Sequence, residues 1–133
     1  MIKAIDLRIG NWIISNTEDN QTNGINNYVQ VFGLEKNRIK HEQGNGVYDE
    51  SMFDPIPLTR EILLKSGLEQ VGQRNIFNKV PLVGFNYDLN TFKVMVYHPG
   101  NTLAHRLLTD IRHVHQLQNF FYCLIGYDLV IEF

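Results

Sequence analysis

Three cations, Lys36, Arg38 and Lys40, alternate with Asn37 and Ile39. On a strand this period-two spacing puts all three on one face, about 6 to 7 Å apart, which suits phosphate oxygens. The same row can equally guard an exposed sheet edge, because lysines there discourage strand addition. A second polar group, His115, Gln116, Gln118 and Asn119, flanks an apolar helical stripe near the C-terminus. Such amides and imidazoles either satisfy backbone groups of loops packed on the helix or line a pocket matching the donor and acceptor edges of a purine. Lys36, Arg38, Lys40, His115, Gln116 and Asn119 together form the candidate ligand-binding set.

Other chemistry finds little support. The chain has no Gly-x-Gly-x-x-Gly run, no phosphate loop and no Gly-x-Ser-x-Gly elbow. Cys123, the single cysteine, falls in the apolar end of a helical segment and reads as a small buried hydrophobe, not a nucleophile. Five histidines, His41, His98, His105, His113 and His115, invite a metal reading. His113 and His115, however, would stand about 200° apart around a helix and could not share an ion. The carboxylate pairs Glu18-Asp19 and Asp49-Glu50 fall in expected loops and read as solvated surface. The expectation is a protein without catalytic residues, metal or cofactor, hence not an enzyme.

Composition bounds the partners. Twelve Lys and Arg against 14 Asp and Glu give a net charge of -2 in 133 residues, which argues against a dedicated nucleic-acid binder. A lone cysteine excludes an internal disulfide and fits a reducing compartment. No apolar run reaches the 18 or so residues of a membrane helix, and the opening residues lack the apolar core of a signal peptide. These features predict a cytoplasmic protein, a single domain over residues 1–133.

The elements that must position the candidate residues follow from patterning. Gly10-Asn11 predicts a bend before a strand over 11–15, and the Asn-rich stretch 16–27 predicts a loop. Tyr28–Phe32 reads as a strand, Gly33–Glu35 as a turn, and residues 36–41 as the strand carrying the cations. Thr59 caps a short helix that Gly67 ends, with Ile62 and Leu63 inward. Strands are expected near 68–72, 76–78, 82–88 and 91–97, with Asp88-Leu89-Asn90 joining the last two. A long helix capped by Thr109 or Asp110 carries the stripe Ile111, Val114, Leu117, Phe121, Leu124 and Ile125, and Gly126 ends it before a final strand at 128–133. The sum is an α+β fold: a mostly antiparallel sheet of about seven strands, SH3-like around Leu7 to Ile14, with one short and one long C-terminal helix.

The run Val114-His115-Gln116-Leu117-Gln118-Asn119-Phe120, closed by Gly126, resembles the ending of a family of short, functionally unassigned proteins of Bacteroidetes bacteria and their phages and prophages. Pro55–Leu68 and Leu7–Ile13 resemble the same family's middle and opening motifs; Tyr127 departs from it, standing where an acidic residue is more usual. The resemblance implies a small accessory product of mobile DNA that binds rather than catalyses, acting in the host cytoplasm. Three readings follow. The first is capture of a small phosphorylated, nucleotide-like host signal, and the second a protein-protein inhibitor or adaptor acting on a host complex. The third, disfavoured by charge, is a nucleic-acid-binding SH3-like module. Phe120, Tyr122 and Tyr127 lie off the apolar stripe, and aromatics so placed predict a homodimer or higher homo-oligomer.

Overall fold

Alternation of apolar and polar side chains sets the strands of this chain, and interruptions of that alternation set its turns. The structure, a computed structural model, describes residues 2–16, 27–41, 46–78, 84–97, 105–107 and 110–133. Its helices are α1 (Arg60–Lys65) and α2 (Val114–Ile125). The sequence reading takes residues 1–133 as one domain; in the structure the chain packs as two compact units. One comprises Met1–Pro57 and His113–Asp128, the other Leu58–Arg112 and Leu129–Phe133.

The first unit holds β1 (Trp12–Ser15), β2 (Tyr28–Glu35), β3 (Arg38–His41), β4 (Tyr48–Asp49) and β5 (Phe53–Asp54) in one antiparallel sheet of order β4-β3-β2-β1-β5. β2 is shared, pairing with β1 through its first half and β3 through its second. A 3-10 turn, Glu50–Met52, returns the chain from β4 to β5 at the opposite edge, and Asp49 Oδ1 accepts the Ser51 N–H (3.0 Å) to cap it. Inward-facing Ile13, Val29, Val31, Ile39 and Phe53 form the core, closed by Ile2, Ala4 and Leu7 from the N-terminal segment.

Two local expectations change here. Gly33–Glu35 is strand, because a bulge between Val31 and Gly33 absorbs the irregularity and the ladder continues to Glu35↔Arg38. The turn moves to Lys36-Asn37, where Asn37 takes a left-handed φ of 60°, a conformation Asn tolerates. β3 accordingly begins at Arg38.

Helix α2 packs against β1. Its N-cap is His113, with extended φ and ψ, neither Thr109, which lies outside the described residues, nor Asp110. The Val114 N–H donates to Ile56 O (2.9 Å) and His113 forms a bridge with Pro57, so this approach is extended and Ile111 precedes the helix. Gln116 Oε1 accepts the His113 N–H (3.1 Å), one half of a capping box. Gly126, at φ 76°, ends the helix. The buried face comprises Val114, His115, Leu117, Gln118 and Phe121. Cys123 is exposed, contrary to expectation: two residues past Phe121 it has rotated about 200° to the opposite side.

The second unit holds β6 (Glu69–Gln70), β7 (Ile76–Asn78), β8 (Gly84–Asp88), β9 (Lys93–Tyr97) and β10 (His105–Leu107) as an antiparallel meander, order β10-β9-β8-β7-β6. Thr59 Oγ1 caps α1 by accepting the Ile62 N–H (3.2 Å), and Ile62 and Leu63 are buried, as read. Phe92 belongs to the β8–β9 turn, not to a strand: it sits at φ 60°, its N–H on Asp88 O (2.8 Å) and the Arg112 guanidinium 4.3 Å from its ring centre. In the tail, buried Leu129 and Ile131 alternate with exposed Val130, without a strand ladder. The fold is thus α+β with two helices and antiparallel sheets, and the described residues carry more strands than the seven or so expected, because β4, β5 and β10 are too short to show a period. The loop read at 16–27 falls largely, and His98 wholly, outside the described residues.

Candidate functional site

The polar side chains of α2 meet the first turn of the chain. Gln118, buried, accepts the Trp12 N–H through Oε1 (2.9 Å) and donates through Nε2 to Gly10 O (3.3 Å). Asn119 Oδ1 accepts from Asn11 Nδ2 (2.9 Å), and its Nδ2 donates to Asp6 O (3.1 Å). Asn11 in turn takes the Arg8 N–H on Oδ1 (2.7 Å). The Gln-Leu-Gln-Asn run and the Arg-Ile-Gly-Asn-Trp run therefore form one hydrogen-bonded lock, in which each amide satisfies backbone groups that the bend leaves without a ladder partner.

This lock fixes the N-terminal segment. Between Lys3 and Leu7 the chain makes a 3-10 turn, Ala4–Asp6, held at Asp6 by Asn119 and at Ala4 by Glu50, whose Oε2 accepts the Ala4 N–H (2.8 Å). Glu50 also donates its own N–H to Asn37 O (3.0 Å), tying the turn to the β2–β3 hairpin. Between turn and hairpin lies an open cleft of about 650 Å³ lined by Lys3, Ala4, Ile5, Leu7, Leu34, Glu35, Lys36, Asn37 and Glu50. Its lining combines apolar Ala4, Leu7 and Leu34, the first two of them core residues, with two cationic residues, Lys3 and Lys36, and two acidic ones, Glu35 and Glu50. Its chemistry suits a ligand with an anionic group, hydroxyls that a carboxylate can accept, and an apolar part.

The six sequence candidates are distributed differently from one another. Lys36 is in the turn and lines the cleft, so it does not extend the row on β3. Arg38 and Lys40 occupy the solvent face of β3, with Ile39 and His41 inward. Arg38 pairs in register with Glu35 on one side and Asp49 on the other, so acidic neighbours flank its charge. Lys40 reaches over the Phe32 ring (5.5 Å). The Arg38 end of β3 is an interior strand position, between β2 and β4, which weakens the edge-guard reading there. His115, Gln116 and Asn119 do not line the cleft.

Among the histidines, His41 is buried and stacks on Tyr48 (5.4 Å) with Phe53 edge-on (5.9 Å). His113, outside the helix, lets its ring stack parallel on His115 (5.8 Å, 10°), a contact that helical spacing would forbid. His115 is 5% exposed and its Nδ1 has no hydrogen-bond partner. Burial, reinforced by the nearby His113 and opposed by Asp6, lowers its pKa to about 4. Among the described residues no group of three His, Cys, Asp or Glu is placed to hold a metal ion, and no helix is long and apolar enough to cross a membrane.

Sequence reasoning missed Lys3, Ile5, Glu35 and Glu50. They come from three separated stretches that only the folded cleft brings together. No known family model, curated protein or solved structure matches this chain.

Proposed function

We propose that this protein is a non-enzymatic binding protein that captures a small phosphorylated ligand in the cleft between its N-terminal turn and the β2–β3 hairpin. The observation that carries the reading is the joint placement of Lys3 and Lys36 over an apolar floor, in walls that Glu50 ties together. Ammonium groups beside a partly desolvated floor make charge-assisted contacts to phosphate, each about 1.5–3 kcal/mol. In the mobile-element setting that the sequence resemblance implies, capture would sequester a host signal in the cytoplasm. Calorimetric titration with mono-, di- and cyclic nucleotides tests this. The Lys3→Glu/Lys36→Glu variant should lose at least about tenfold in affinity, whereas Arg38→Glu/Lys40→Glu should bind as the parent does. No binding to the parent at millimolar ligand would overturn it.

A second reading, a protein-protein module that self-associates or engages a host protein, is favoured by a different surface. Arg8 stacks on Tyr122 (4.1 Å) and pairs with Asp128 (2.7 Å), while Ile9 and Tyr127 nearby in sequence are 59% and 68% exposed. An exposed Tyr and a half-buried Arg belong to the residue types enriched at interfaces. Light scattering at tens of micromolar protein decides self-association: a monomer mass rules it out, and a pull-down then tests for a host partner.

A further inference from the structure

Glu50 bonds in two directions at once. Its Oε2 accepts the Ala4 N–H at 2.8 Å across 46 residues of sequence, and its own N–H donates to Asn37 O at 3.0 Å. Ala4 opens the N-terminal 3-10 turn, and Asn37 is the left-handed residue of the β2–β3 turn. Glu50 itself stands on a fixed base, since Asp49 Oδ1 accepts the Ser51 N–H and caps the turn it begins. The N-terminal turn has no cap of its own: the Lys3 side chain makes no capping bond, so the Ala4 N–H finds its acceptor on another element.

We infer that Glu50 is a positioning residue of the cleft, whose carboxylate sets the N-terminal turn against the β2–β3 turn and so places Lys3 relative to Lys36 before a ligand arrives. This rests on the cleft's reading as an anion site. Lys3 directly precedes the tied Ala4, and its O takes the Asp6 N–H at 3.0 Å within the same turn. Fixing that turn in the free protein lowers the ordering cost of binding. The tie needs an acceptor oxygen, which an amide supplies as well as a carboxylate does. The charge of Glu50, by contrast, opposes an anion among the residues that line the cleft. Geometry and charge thus act in opposite directions, and two substitutions separate them.

The test compares the intact parent chain with Glu50→Ala and Glu50→Gln. Glu50 is half-buried and outside the core, so both variants keep the parent core, which a thermal melt verifies. In the free proteins, amide hydrogen exchange at Ala4, Asp6 and Leu7 should speed at least about tenfold in Glu50→Ala and return toward the parent rate in Glu50→Gln. In calorimetric titration with AMP, Glu50→Ala should lose at least about fivefold in affinity, and Glu50→Gln should recover the parent affinity or exceed it. Parent-like exchange in Glu50→Ala would show that the turn stands without the tie and would overturn the inference alone. Equal loss of AMP affinity in both variants would do the same, because the carboxylate's charge would then act on the ligand directly. No binding of AMP to the parent at millimolar concentration would overturn the anion reading and the inference together.

Discussion

Gln118 on α2 accepts the backbone N–H of Trp12 at 2.9 Å, so a side-chain amide from the C-terminal helix stands where a strand partner would stand at the start of β1. Two segments more than a hundred residues apart in sequence are joined this way, and the N-terminal wall of the cleft depends on the join.

Gln118→Ala should therefore destabilise the chain by about 1–3 kcal/mol, because it takes the acceptor from the part-buried Trp12 N–H, while Gly10 O keeps the Gln30 amide as donor (2.9 Å). Urea unfolding measures this. A loss below about 0.5 kcal/mol would show that water replaces the amide without cost and that the lock is not needed.

His115 makes stability depend on pH. Its folded pKa of about 4 lies below the ordinary 6.5, so between these values the unfolded chain binds more protons. The contribution is complete above pH 6.5, is lost as pH falls, and levels off below about 4; the span corresponds to about 3 kcal/mol. His113, also ionisable, faces it and Asp6 opposes the shift. Urea midpoints at pH 7.5 and 5.0 should differ in the parent and converge in His115→Phe. Equal slopes in both proteins would place the pH dependence elsewhere.

Tyr87 in the second unit is wholly buried and donates its hydroxyl to Ile111 O at 2.6 Å. Burial, with the nearby carboxylates of Asp110 and Asp88, raises the phenol's pKa above its usual value. Tyr87→Phe leaves that carbonyl unpaired and should cost about 1–3 kcal/mol, read as a lower denaturation midpoint, with no effect on ligand affinity at the cleft.

Much of the fold was legible where one local rule acted alone. Thr59 and Gly67 bracket α1 through capping chemistry, and the alternation in β1 and β3 needs only the pleat. Legibility failed where a tertiary contact overrode local preference. Gly33 reads as a turn residue yet sits in a bulge, and His113 becomes the cap because Ile56 and Pro57 hold its neighbourhood extended. Phe92 carries a strand former into a left-handed turn. Of the candidate site, the cation row pointed to Lys36 but misplaced it on the strand. Lys3, Ile5 and Glu50 carry no spacing signal, since only the folded 3-10 turns bring them to Lys36.

The most direct test of the account is an amide-resolved NMR titration of the intact chain with AMP. If the cleft takes a nucleoside phosphate, the amides of Ala4, Ile5, Asn37 and Glu50, which form its walls, should shift together and saturate, while those of Arg38, Lys40 and Tyr122 stay in place. Saturating shifts confined to β3 or α2, or an unchanged spectrum at millimolar AMP, would contradict it.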